Sequence, residues 1–163
     1  MKTTQELEQF LDNDFRNWLS LLTHQSVALW GKMDAQQMVE HLIIAVNVSN
    51  GKQLITLATP MEKVEKVKKI ALLSDRPLQR EFKNVALPTD PIPHEYADFP
   101  AAKQGLIEAV EAFKNHFETQ AEKTQLHNIF GELNYQEWLW FHYKHFIHHF
   151  SQFGIIPTVD RIS

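Results

Sequence analysis

Cysteine is absent from the 163-residue sequence, so disulfides, thiolate metal ligands and a cysteine nucleophile are excluded together. Any metal bound here is held by nitrogen or oxygen. A charge excess is lacking too: 16 Lys and Arg stand against 20 Asp and Glu, a formal net charge of −4. The one short basic cluster, Lys63, Lys66, Lys68 and Lys69, alternates with Glu62 and Glu65 and reads as a solvated helix face rather than a phosphate-binding patch. Nucleic acid is not an expected partner. No window approaches the roughly 20 consecutive apolar residues of a membrane span, and the opening "MKTTQELEQF" lacks the apolar core of a secretory signal. No membrane partner and a cytoplasmic location are therefore expected. Sequence repeats with a period of roughly 20 to 50 residues are missing as well, which excludes a solenoid.

What is present suits one globular core: 44% of residues are hydrophobic and 22% charged, and residues 1–163 have the length of a single ordinary domain. Thr3 with Glu6 forms a capping box ahead of Leu7, Phe10, Leu11, Phe15, Trp18, Leu19 and Leu22, which predicts a first helix ending near Thr23. Asp34 with Gln37 predicts the start of a second, running to about Asn50 before Gly51. Residues 61–74 read as a shorter charged helix. Four of the seven prolines, Pro88, Pro91, Pro93 and Pro100, fall in an irregular stretch over 77–99 or at its end, so a long connection is expected there. Pro100 suits the first turn of a third long helix reaching about Glu122, with Leu106, Val110, Phe113 and Phe117 inward. Asn134 with Glu137 caps a last helix that stops at Gly154. Strand-like alternation is weak, with "QLITLA" at 53–58 the one modest candidate. The expected class is all-α, a four-helix bundle with a long proline-rich connection between its second and third main helices.

The last helix holds His142, His145, His148 and His149 within "FHYKHFIHHF". At about 100° per residue, Trp138, Phe141, His142, His145, His148, His149 and Gln152 fall on one stripe within about 60° of His145. Lys144 and Ser151 fall on the expected solvent strip, just beyond His148. His145 and His149 lie one turn apart and can converge on one ion. On the second helix, His41 falls beside Met38, Ile44, Ala45 and Val48, and so points inward, while Glu40 points away. Three imidazoles from two helices can bind a divalent metal and leave one coordination position open. The competing reading is structural, since a lone inward histidine such as His41 is more often a hydrogen-bonded core residue than a ligand. The aromatic residues read as core packing, and His24, His94 and His116 as surface or loop residues.

Two stretches, "WGKMDAQQMVEHL" (30–42) and "HNIFGELNYQEWLWFHYKHFIHHFSQFG" (127–154), resemble the DinB-like superfamily of four-helix bundles, which also includes bacterial thiol-dependent transferases. The likeness rests on a second-helix histidine, a glycine turn at Gly131, Trp138, and H-x-x-x-H at His145 and His149 followed by Gln152. It implies a divalent metal, zinc or nickel, on His41, His145 and His149, and a low-molecular-weight thiol as small-molecule substrate. His142 and His148 exceed that motif. With Gln152 and Trp138, they are candidates to line the pocket or support the ligands.

Two functions follow. One is a metal-dependent enzyme, a thiol S-transferase acting on a small electrophile or a hydrolase, in which His142 or His148 handles protons; no residue takes a definite catalytic role. The other is a non-catalytic metal-binding or dimerising bundle, with a homodimer as its partner state. The segment from Asn84 to Pro100 is either a lid or a connector crossing the bundle surface.

Overall fold

The computed structural model describes residues 2–80, 90–119 and 122–162. Helix α1 (Thr4–Gln9), a π-helical segment (Phe10–Asp14) and α2 (Phe15–Leu21) run on as one rod, because every junction residue keeps right-handed helical dihedrals. Helix α3 spans Ala35–Ser49, α4 spans Met61–Val67 with a π-helical extension over Lys68–Leu72, α5 spans Phe99–Glu118 and α6 spans Tyr135–Gln152. The three capping boxes at Thr3/Glu6, Asp34/Gln37 and Asn134/Glu137 all form, each satisfying orphan N–H groups of a first turn.

Helix α6 runs through the middle. Phe146 meets Phe10 and Phe15 edge-on and Phe150 meets Trp18, seating the first rod on one side. On the other, Phe113 of α5 meets His142 and Tyr135. Helix α3 packs against both α5 and α6. One continuous core results, from Leu7 and Phe15 through Met38 and Leu42 to Trp138 and Trp140, each fully sealed.

The structure departs from the sequence-based expectation in several places. The shorter helix expected over 61–74 forms, as α4 with its π extension ending at Leu72, but residues 53–58 form no strand. The strands are β1 (Gln125–His127) and β2 (Gly131–Leu133), a two-stranded antiparallel hairpin pairing Gln125 with Leu133. Three residues per strand are too few for alternation to register. Gly131 turns this hairpin at φ +73°, where a Cβ would come within 2.7 Å of the Val64 side chain. Helix α5 ends at Glu118 rather than near Glu122.

Lys144 and Ser151 are buried, not on a solvent strip. The Lys144 ammonium donates to the carbonyls of Ala71, Leu72 and Ser74 at 2.8, 3.0 and 3.1 Å, closing the C-terminal end of the π extension. Of the proline-rich connection, residues 84–89 lie outside the described residues. The portion after Asp90 is strapped to the start of α3: Gln37 donates to the Ile92 carbonyl and Gln36 to that of Tyr96. Glu40 accepts the backbone N–H groups of Glu95 and Tyr96. These bonds hold residues 92–96 against α3, and Glu40 is committed to them.

Candidate metal centre

His145 and His149 sit one turn apart on α6, and His41 enters from α3, whose first half is aimed by the Asp34 cap and the Glu40 strap. Their Nε2 atoms converge: His145 lies 3.1 Å from His41 and 3.0 Å from His149. One ligand atom from each of the three falls within 4.8 Å of the others, a cluster that could hold a metal ion. Burial pushes the His41 imidazole down to about 4, with the His148 charge adding to it. It also holds His145 and His149 well below the usual histidine range. Neutral imidazoles are the form that ligates.

The arrangement fits a cation better than it fits three imidazoles alone. Gln152 gives its amide N–H to the Trp30 carbonyl at 2.8 Å, so its oxygen faces His149 and accepts from Nδ1 at 2.8 Å. His149 then presents a bare lone pair on Nε2. Nδ1 of His145 is buried with no partner. If that atom carries the proton, it is a buried donor without an acceptor and the Nε2 lone pairs of His145 and His149 face each other; if it does not, an acceptor is buried unsatisfied. A bound cation, ligated by all three Nε2 atoms, resolves the lone-pair conflict. Tetrahedral zinc ligands at about 2.0–2.1 Å from the ion stand roughly 3.3 Å apart, close to the 3.1 and 3.0 Å that separate His145 from His41 and His149.

The cluster opens onto a cavity of about 890 Å³. Its walls come from α3 (Ala45, Val48), the 53–56 stretch, the 76–79 stretch, the hairpin turn and α6. Among the described residues, no carboxylate lines it. Trp138, His148 and Gln152 line it as well. His148 is the least buried of the four α6 histidines and bonds to the Leu78 backbone. His142 does not line it: 1% exposed, it is stacked on Trp138, edge-on to Phe113, and donates from Nε2 to Ser49 Oγ, which itself donates to the Val46 carbonyl. His24 and His94 are exposed, His94 against Asp34, whereas His116 is half-buried.

His127 in β1 was not singled out by the periodicity, yet it is buried and lines the cavity. Its place follows from the hairpin turn: Nδ1 accepts the N–H groups of Ile129 and Phe130 at 3.0 and 3.3 Å. A histidine two residues before a turn hydrophobe is the kind of local signal that could have marked it.

No helix among the described residues is long and apolar enough to cross a membrane. No curated protein and no solved structure matches the chain. One family model does, over residues 1–155, and its span takes in both helices that supply the three histidines and the hairpin between them. The chain thus belongs to DUF1569, a family described as proteins of unknown function.

Proposed function

We propose that this chain is a metal-dependent enzyme whose His41, His145 and His149 hold one divalent ion, zinc or nickel, with an open coordination position facing the cavity. The observation that carries the reading is the convergence of three Nε2 atoms beside a cavity with apolar walls large enough for a small molecule. The all-nitrogen donor set suits zinc, nickel, cobalt or copper over magnesium or calcium. Bound there, the ion supplies Lewis acidity that lowers the pKa of a thiol or water at the open position.

The chain's own residues supply the rest. Ile44, Ala45, Val48, Ile55 and Phe141 give the cavity an apolar wall, which favours a soft sulfur ligand and strengthens electrostatic attraction inside. Gln152 orients His149. His148, half-buried at the rim, is placed to exchange a proton with a substrate and then with solvent. The thiol S-transferase reading is preferred to hydrolysis because, among the described residues, the lining offers soft, apolar surroundings and no carboxylate placed as a general base for water. The resemblance to DinB-like proteins points the same way.

The test is metal analysis of gently purified protein, followed by cobalt substitution and addition of glutathione, bacillithiol or mycothiol. About one ion per chain and a sulfur-to-cobalt charge-transfer band are expected. Metal-free protein that gains no thermal stability from zinc or nickel overturns the metal reading; a cobalt protein silent to all three thiols transfers the reading to hydrolysis.

A further inference from the structure

His127 is presented to the cavity in a single tautomer. Its Nδ1 accepts two backbone N–H groups, from Ile129 and Phe130, so this atom carries a lone pair and the ring proton is on Nε2. The ring cannot turn over without breaking both bonds. It is clamped in place by Phe130, stacked at 4.6 Å, and by Phe141 edge-on at 4.5 Å. Among the described residues Nε2 has no hydrogen-bond partner, and it is not one of the sealed, unsatisfied atoms, so its N–H faces the cavity that His127 lines. Phe141 also lies 5.1 Å from His145, centroid to centroid, and bridges the hairpin histidine to the three-histidine cluster.

We infer that His127 is a substrate-positioning hydrogen-bond donor, and that the cavity takes a small molecule bearing a carbonyl or carboxylate oxygen placed to accept the Nε2–H. The inference rests on the reading of this cavity as the substrate site. Burial holds the imidazole at about 3, far below its ordinary value, so it stays neutral and donates without exchanging its proton. Neutral, fixed-tautomer histidines act in this way on substrate carbonyls elsewhere. The rings packed on His127 are those of Phe130, Trp138 and Phe141, while Gln53, Thr56 and Arg76 are among the polar residues that also line the cavity. An oxygen-bearing ligand is recognised over an apolar one of the same size by one hydrogen bond, worth about tenfold or more when the acceptor is charged.

Mercaptoacetate and ethanethiol separate the two halves of the site, since both carry a thiol and only the first carries a carboxylate. Affinities are measured by calorimetry on the cobalt-loaded protein, with the ring N–H resonances followed by ¹⁵N NMR on the zinc-loaded one. Wild type is expected to bind mercaptoacetate at least tenfold tighter than ethanethiol, with the His127 Nε2–H resonance displaced by the first. His127→Asn keeps an acceptor for the turn through its side-chain oxygen but has no donor at the Nε2 position, and should reduce the ratio to near one with metal content unchanged. His127→Gln, whose amide nitrogen reaches that position, should restore part of it.

An unchanged ratio in His127→Asn, or an undisplaced His127 resonance, overturns the inference even if the cobalt band shows thiolate binding. A displaced resonance and a lost preference without any cobalt band sustain the donor role and overturn the thiol reading instead. No binding of either thiol by any measure overturns both.

Discussion

Gln152 accepts the Nδ1–H of His149 at 2.8 Å while donating to the Trp30 carbonyl at the same distance. Trp30 precedes α3 by only a few residues, so this one amide ties the entry to the His41 helix to the His149 helix. It also sets which nitrogen of His149 faces the cluster.

Loss of that amide should therefore weaken metal binding without removing a ligand. Gln152→Ala is expected to lower zinc affinity by about 10- to 100-fold, measured by competition with a chromophoric chelator. Gly31→Ala should act in the same direction from the other end: residue 31 sits at φ +80°, and a Cβ there would lie 2.7 Å from the Gln152 amide nitrogen. Affinity equal to wild type in both variants would show that His149 is oriented by something else.

The four histidines of α6 should separate by role when each is replaced by alanine. His145→Ala and His149→Ala, like His41→Ala, leave two imidazoles and should empty the site. His148→Ala, at the rim, should keep its metal. In wild type, zinc at about a hundredfold excess over its Kd should add roughly 2.7 kcal/mol of stability. That increment should vanish in the first three variants and persist in His148→Ala.

His127 and His142 make the fold sensitive to acid. In the unfolded chain an imidazole titrates near 6.5, whereas burial holds both at about 3 in the folded protein. Between those values the unfolded state binds more protons, so stability from these two groups is full above about pH 6.5. It is lost as pH falls towards 3. Urea midpoints should be level from pH 8 to 7 and fall steeply by pH 5. For His142 the proton would have to enter at Nδ1, which is buried without a partner. His142→Phe should accordingly shrink the acid-induced drop, while an unaltered pH profile would count against a neutral buried His142.

Much of the site was legible because its signals are local. Three capping boxes set where α1, α3 and α6 begin, and a helical register counted from His145 placed His149 and Gln152 on one stripe with it. Lys144 was misplaced for the opposite reason. Its acceptors, Ala71, Leu72 and Ser74, lie some seventy residues away in the chain, and no pattern around position 144 announces them. Periodicity assigns a lysine to water unless a distant partner is known. His142 fell on the correct side of α6, but only packing against Trp138 and Phe113 decides that it belongs to the core and not to the cavity. His127 needed the turn geometry of a hairpin too short to read.

Lys144 gives the last test. Its ammonium is fully buried and is held by three carbonyls, one of which, Leu72, also accepts the Trp140 indole N–H at 2.7 Å. These carbonyls end the π-helical extension of α4, where no intrahelical donor remains. Lys144→Met keeps the length of the apolar stem and removes every charged donor at once. The ion-free pocket also escapes the cost of holding a buried charge, so the two effects oppose each other. The loss should prevail, because at least Ala71 and Ser74 are left without this donor: about 2–4 kcal/mol, read from urea unfolding. The damage should be directional as well. Ala71 and residues 76–79 line the cavity, and this lysine joins the Ala71–Ser74 end of that wall to α6. Amide exchange should therefore quicken over 70–79, and mercaptoacetate affinity fall, while zinc content stays near one per chain. A Lys144→Met protein as stable as wild type, with unchanged exchange over 70–79, would mean that the three carbonyls find other donors and that the cavity wall does not depend on α6.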